Sequence, residues 1–598
     1  MEDSHTLKEL TKRAHTIKQA LLASIATLPA KIKALLALAL IVFIATSFGI
    51  LVKINSAFMV EVPEHSGSLT EGILNFPRFI NPVLAKSDAD RDMSALVYSG
   101  LLRATPEGDL MPDLAESYNV SPDGLTYTFI LKTGAVWHDG EPITSADIAF
   151  TIDEVRNPHL AIKSPRRASW EGVEVSTPDA QTVVFTLKQP YAPFLENATM
   201  GIIPKHIWKN VPDAEFDVSY YNIEPIGSGP YRIKKVVRDS NKGLPSYYDL
   251  VAFQRFAGGE PYITDLRIMF FGNNKELSAA YTDGIIDQMH GLDPEQARTL
   301  KASGGHITES PLPRVFAIYF NQTQQPIFAD KAVRQVLDMT LDRTRIVSDV
   351  LGGYGRPIDG PLPIPPSGMS TSDMATGTLV EHISAAQTIL EQAGWTQNPS
   401  THIYEKINKK NKKLPTTILH FDISMPDVPE LRQIAEIMKH DWELLGAQVT
   451  LKVFDPSTFT TDILSPRKYD ALFYGQIIGR VPDPYPYWHS SQKNAPGLNV
   501  AMYGSKTADK LLEDIRKEND ATKRNDLLQK FVSTINTDIP ALFVYSPDFL
   551  YVTARDVQNM HTGLITTESE RFLNIADWYV DSERVWKWFA ERMTQRKN

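Results

Sequence analysis

Between Leu110 and Phe150, apolar and polar side chains alternate in a rhythm that reads directly as structure. Tyr127, Phe129 and Leu131 alternate with Thr126, Thr128, Ile130 and Lys132, the two-residue period of a strand. Ser121-Pro122-Asp123-Gly124 before it and His138-Asp139-Gly140 after it carry the Pro and Asp-Gly chemistry of tight reversals. Thr144 or Ser145 then caps a helix predicted from about Ala146, with Asp147 in its positively polarised first turn. Nothing in this stretch is equipped to attack a bond.

The pattern recurs with both periods in one unit further on. Leu419, Phe421 and Ile423 alternate as a strand, and Leu431, Ile434, Ala435, Met438, Trp442 and Leu445 follow at helical spacing. Gly446 stands where a helix stop is needed, and Val449, Leu451 and Val453 alternate again. Strand, helix, strand in this order predicts a βαβ crossover and a parallel sheet covered by helices. Two more helices are expected around Lys331–Met339, capped by Asp330, and around Ser384–Ala393, stopped by Gly394. The fold class is α/β.

One segment has no period at all. Ala34–Val52 runs for nineteen residues without a charge, about 28 Å as a helix and close to the thickness of a bilayer core. Upstream, Lys8, Lys12, Arg13, Lys18, Lys31 and Lys33 outnumber Glu2, Asp3 and Glu9, which holds the N-terminus in the cytoplasm. The expectation is a single-pass anchor in the cell membrane, with everything from Lys53 onward extracytoplasmic. A cleaved signal peptide, cut after Asn55-Ser56-Ala57, is the rival; the leader is long for that role. Within the leader, Leu7, Leu10, Ala14, Ile17 and Leu21 recur at helical spacing, and Pro29 would end such a helix.

Composition removes several classes of function. At 598 residues, with 42% hydrophobic and 22% charged residues, the chain is globular and long enough for several domains. A net charge of −10, with no basic run outside the leader, argues against nucleic acid as a partner. The absence of cysteine excludes disulfides, thiolate metal sites, Cys nucleophiles and a lipid-modified N-terminal Cys. No H-E-x-x-H, G-x-S-x-G, Walker loop or G-x-G-x-x-G lies in a suitable setting, so the chain is read as a non-enzyme without cofactors. A carboxylate pair for glycoside hydrolysis is the catalytic alternative.

The Leu110–Phe150 wording resembles the extracytoplasmic peptide-binding receptors of ABC importers, the oligopeptide, dipeptide and nickel group. Further blocks extend the resemblance in the same order. They are Asn81-Pro82 with Leu96–Leu102, Ile203–Trp208, Pro225–Tyr231, Ala279–Tyr281 with Gly284–Asp287, Asn321 with Phe328–Arg334, Ala393-Gly394-Trp395, and Tyr469–Ala471 leading to Pro482–Ser491. The resemblance implies a type II periplasmic-binding-protein (flytrap) fold of two α/β lobes with an extra domain beside the first. The implied division is a leader at 1–33, an anchor at 34–52, a tether at 53–68, lobe I at 69–107, 205–315 and 556–598, the extra domain at 108–204, and lobe II at 316–555. It further implies a monomeric receptor that captures a peptide by lobe closure and delivers it to an ABC permease and its ATPase. A membrane-anchored sensor on the same fold, without transport, is the alternative, and nickel-chelate binding a minor one.

The resemblance also points to ligand-binding residues, and here the chain departs from the family pattern. Relatives carry an Asp for the peptide's ammonium soon after a Gly-Trp pair. This chain reads Gly475-Gln476-Ile477-Ile478-Gly479-Arg480-Val481-Pro482-Asp483, so Gln476 replaces Trp. Depending on register, Arg480 or Asp483 occupies the anchor position. Arg480 would favour a ligand carboxylate and Asp483 a cation. Tyr485 and Trp488 are the aromatic candidates for the cleft. Nickel relatives place a His directly after the Asp-Pro pair; here Tyr485 stands there, with His489 four residues on.

Overall fold

The computed structural model describes residues 15, 16, 18, 19, 24, 27–240, 243–364, 377–407, 415–553 and 557–590. They fall into two compact units, one made of residues up to Glu64 with those from Ser582, the other of His65–Asp581. In the smaller unit a helix spans Ala30–Phe58 with no buried residue. Its apolar window has a mean hydropathy of 2.8, and by length and composition it is able to cross a membrane. Pro29 stands at its N-cap with φ −56°; the leader positions Leu7, Leu10, Ala14, Ile17 and Leu21 lie outside the described residues. The helix continues through Lys53–Phe58, where no Gly or Pro interrupts it. Met59–Pro63 then pairs antiparallel with Ser582–Trp586, Met59 opposite Trp586 and Pro63 opposite Ser582.

Twelve strands of the larger unit form one sheet. From edge to edge the order is Gln448–Phe454, His420–Pro426, Ala471–Ile477, Arg314–Phe320, Ala541–Thr553, Gln288–His290, Ser68–Leu74, Asp265–Phe271, Pro245–Ala252 and Tyr231–Arg238. His306–Pro311 and Gly355–Pro357 also pair with Ala541–Thr553. The thirteen-residue strand Ala541–Thr553 lies inside this array and pairs with strands on both sides of it. Its first part pairs with Arg314–Phe320, and Asp548–Thr553 pairs with His306–Pro311. The sheet therefore has two halves, and the backbone passes between them at Leu312–Pro313 and again at Ser546–Pro547. These crossings are tied together: Leu312 N–H donates to the Pro547 carbonyl (3.1 Å), and Ser546 Oγ donates to the Leu312 carbonyl (2.8 Å).

Local chemistry accounts for the elements that bracket this sheet. Thr144 and Asp147 form a capping box on the helix Ser145–Arg156. Asp330 caps Lys331–Met339 by accepting from Ala332 N–H. Gly446, at φ +105°, ends Pro429–Leu445, and the flanking strands are parallel as the βαβ pattern requires. The helix expected around Ser384 begins earlier, at Leu379, because Thr378 and Glu381 form a capping box. In the second half, alternate residues of one strand serve different cores. Ile318 and Phe320 join Phe421, Ile434 and Trp442 on one face. Val315, Ala317 and Tyr319 join Leu472, Phe531 and Phe543 on the other. Burial on both faces makes such strands apolar throughout.

Ala115–Val120, Thr126–Leu131, Thr182–Thr186 and Glu174–Ser176 form a separate four-stranded sheet. The turn after its second strand is pinned by His138, whose Nε2 donates to the Gly229 carbonyl (3.0 Å) while Nδ1 accepts from Gly227 N–H (3.3 Å). That geometry needs the neutral imidazole. Burial, opposed by the Gly229 carbonyl, lowers His138 to about 4. Gly227 and Gly229 are glycines for lack of space: a Cβ on Gly227 would lie 1.9 Å from the Val97 carbonyl oxygen, and one on Gly229 would lie 2.6 Å from Tyr98 N.

The C-terminal segment is locked into the first half by a fully buried guanidinium. Arg571 Nε donates to Glu71 Oε1 (3.0 Å), and its two terminal nitrogens grip both Asp92 oxygens at 2.8 Å. Tyr551, on the crossing strand, donates to Glu71 Oε2 (2.6 Å). Burial alone would raise the Asp92 carboxyl, but Arg571 and His290 overcome it and hold Asp92 at about 2.

Two outcomes follow for stability. Arg571→Ala leaves Glu71 and Asp92 buried without their cation and is expected to cost about 3–5 kcal/mol in urea unfolding; a change below about 1 kcal/mol would contradict that role. His138 has a folded pKa below its unfolded value of 6.5, so the unfolded chain binds the extra proton between those values. Its contribution is complete above pH 6.5 and is lost as pH falls towards 4, on the order of 2–3 kcal/mol. Unfolding curves between pH 7.5 and 4.5 should show the decline in the wild type and a flatter profile in His138→Gln.

Candidate functional site

The loop following Ala471–Ile477 leaves the second half where the two halves meet. Ile478 N–H donates to the carbonyl of Pro313, at the first crossing (2.8 Å). Gly475 lets the strand lie flat on Phe316, whose ring atoms would stand 2.7 Å from a Cβ. Phe316 in turn stacks on Tyr545 with centroids 4.6 Å apart. Gly479, at φ +81°, turns the chain and delivers Arg480.

Arg480 reaches across to the first half, its side chain only 3% exposed. One terminal nitrogen donates to Glu570 Oε2 (2.6 Å), and the other lies 4.0 Å from Glu196 Oε1. Glu196 comes from the short helix Phe194–Asn197 beside the four-stranded sheet, and Glu570 from the turn Glu568–Phe572. Glu570 is itself held by Thr566, through N–H (2.6 Å) and hydroxyl (2.7 Å). Burial raises the Glu196 carboxyl, and Arg480 opposes that shift. Two buried atoms of the group, Arg480 Nε and Glu196 Oε1, have no hydrogen-bond partner. The cluster retains one donor and one acceptor.

Asp483 is differently placed. Arg516, on the helix Lys506–Lys517 of its own half, grips both its oxygens, with Nε at 3.0 and 3.1 Å. Tyr191 donates to Asp483 Oδ2 at 3.4 Å. The Arg516 guanidinium also lies over Tyr485, 4.0 Å from its centroid, and Tyr485 stacks on His489 at 4.1 Å. Gln476 is buried and donates to the Leu498 carbonyl (3.3 Å). Trp488 is buried among Tyr319, Tyr503 and Phe543. Arg480, Asp483 and Tyr485 thus stand near the junction, whereas Gln476 and Trp488 face the interior of their own half. Glu196, Glu570, Tyr191 and Arg516 complete the junction; each is distant in sequence and carries no local signal.

Glu570 also lines a cavity of about 200 Å³ in the first half, with Arg91, Tyr98, Asp113 and Arg166. Tyr98 Oη and Asp113 Oδ1 are buried there without hydrogen-bond partners, and burial raises the Asp113 carboxyl. Among the described residues no group of three or more His, Asp or Glu side chains is arranged to hold a metal ion. At the junction Arg480, Glu570, Glu196 and Asp483 form a charged group in which two buried polar atoms are unmatched.

Comparison with known proteins matches residues 109–499 to the bacterial extracellular solute-binding proteins, family 5. The oligopeptide-binding protein AppA of Bacillus subtilis is 28% identical over 496 residues, covering 81% of this chain and 87% of AppA. The structure of that protein in complex with a nonapeptide superposes with a TM-score of 0.66 at 25% identity, spanning 87% of this chain and all of the other. The ABC transporter substrate-binding protein CtaP of Listeria monocytogenes gives a TM-score of 0.71 at 24% identity, over 86% of this chain and 99% of that one. The mixed α/β architecture is that of the type II periplasmic binding proteins, and the N-terminal apolar helix fits either a membrane anchor or a signal sequence. With about two thirds of its length matched by the family model, the chain belongs to the bacterial extracellular solute-binding proteins, family 5.

Proposed function

We propose that the chain is a membrane-anchored extracytoplasmic receptor that captures peptides between the two halves of its sheet and delivers them to an ABC permease. The observation that carries this reading is Arg480, projecting from one half into a carboxylate pair of the other beside the paired backbone crossings. Two crossings tied by hydrogen bonds make a hinge: few residues change conformation while each half keeps its own core. A ligand that touches both halves stabilises only the closed arrangement, which supplies the signal a permease needs. The relative AppA, an oligopeptide-binding protein, supports peptide as the ligand class. The basic leader and the apolar helix support an uncleaved anchor with a cytoplasmic N-terminus.

Within this reading Arg480 holds the ligand's carboxylate, replacing the Arg480–Glu570 contact with a charge-assisted bond of its own. Asp483 is already committed to Arg516 and orders the turn that presents Tyr485. Gln476 and Trp488 support the loop from behind. The unpartnered Glu196 oxygen is left for a ligand N–H. Closure excludes water around these groups and strengthens each of them.

Titration calorimetry with one peptide series in three forms tests this. C-terminal amidation is expected to weaken binding by about 30-fold or more, roughly 2 kcal/mol, and N-acetylation to matter less. In Arg480→Ala the amidation effect should vanish. Glu570→Gln releases the guanidinium from its internal partner and should tighten binding of free carboxylates. Sensitivity to N-acetylation instead of amidation would overturn the Arg480 assignment, and binding of none of the three forms would overturn peptide as the ligand.

A further inference from the structure

Seven of the nine tryptophans, Trp137, Trp170, Trp208, Trp395, Trp442, Trp488 and Trp578, are fully buried. The other two, Trp586 and Trp588, are 49% and 54% exposed and are followed by Phe589 at 54%. Exposed aromatic side chains gathered in four residues of a soluble surface mark an interaction site. Their position identifies the partner. Ser582–Trp586 pairs antiparallel with Met59–Pro63, the strand that leaves the Ala30–Phe58 helix. The chain therefore runs back towards the end of the apolar helix as it reaches Trp586, and residues 587–590 continue in helical conformation. Trp586 Nε1 donates to Asn55 Oδ1 (2.9 Å), fixing the indole at the level of that residue.

Asn55 lies three residues past Val52, the end of the uncharged stretch, hence about 4–5 Å beyond the apolar segment along the helix. The polar headgroup layer of a bilayer occupies roughly 5–8 Å on each side of the hydrocarbon core. Trp586 is thus held at headgroup depth, where an indole buries its apolar body and keeps its N–H bonded. Trp588 and Phe589 pack edge to face at 4.9 Å just beyond it. Arg584 and Lys587 flank the aromatic residues with positive charge suited to phosphate headgroups.

We infer that Trp586-Lys587-Trp588-Phe589 docks in the lipid–water interface beside the N-terminal helix, giving the protein a second contact with the bilayer at the opposite end of its chain. This rests on the reading of Ala30–Phe58 as an uncleaved anchor, and the test separates the two. The full chain is reconstituted in phosphatidylcholine vesicles containing lipids with a nitroxide at a shallow or a deep acyl position. Tryptophan emission is read on the fraction that floats with the vesicles. The expected result is quenching by the shallow nitroxide, stronger than by the deep one, and absent in the double variant Trp586→Phe/Trp588→Phe. Flotation without quenching would overturn the interfacial contact while leaving the anchor standing, and would assign the aromatic patch to a protein surface. Quenching that persists in the double variant would also overturn it. Failure of the full chain to float would remove the anchor, and the inference with it.

Discussion

A single strand, Ala541–Thr553, belongs to both halves of the sheet, and the rest of the architecture is arranged around that constraint. Its residues before Ser546 contribute to the cores of the second half, and Phe549 and Tyr551 to that of the first. Where it changes allegiance, at Ser546–Pro547, it meets the other crossing at Leu312–Pro313. Each half has cores of its own, and among the described residues two short backbone passages join the halves in the sheet. Tyr551 carries the constraint deeper. Its hydroxyl ties the shared strand to Glu71, and through Glu71 to Arg571.

The charges separate into two groups by what surrounds them. The Arg571 cluster is fully enclosed and nearly every polar atom of its guanidinium is matched. Such a group serves specificity of packing: a wrong arrangement of the C-terminal segment would leave two carboxylates buried without a cation. The Arg480 cluster is also dehydrated but incompletely matched, with a donor and an acceptor unspent. An unsatisfied buried polar atom costs about 1–3 kcal/mol, and a ligand that supplies the missing partners recovers that cost on binding. The two guanidinium groups therefore differ in how completely their nitrogens are matched.

How much of this was legible in the sequence depended on whether the determinant was local. The strand at Thr126–Leu131, the Thr144–Asp147 cap and the βαβ unit ending at Gly446 each announce themselves within a few residues. Arg314–Phe320 and Ala541–Thr553 do not, because burial on both faces erases the alternation that reveals a strand. The start of the helix at Leu379 is set by the Thr378–Glu381 capping box, upstream of the Ser384–Ala393 stretch expected from the sequence. The site was legible only from one side. Arg480 and Asp483 stood out as departures from a family pattern, yet their fates depended on partners with no sequence proximity. Glu570 lies 90 residues from Arg480, and Arg516 lies 33 from Asp483. Only the fold could show that Asp483 was already paired and Arg480 was not confined to its own half.

The pairing of Met59–Pro63 with Ser582–Trp586 closes the chain upon itself, and this has a consequence in time. A ribosome adding roughly 5–20 residues per second needs about half a minute to nearly two minutes to travel from the first strand to the second. For that interval the first strand is an open edge, offering unpaired N–H and C=O groups to any neighbouring chain. Glu61 and Pro63 blunt that edge with a charge and a missing donor. Glu71 and Asp92 wait over the same interval for Arg571. Ser582–Trp586 and Arg571, made long after their partners, therefore complete both the paired strands of the smaller unit and the heart of the first core.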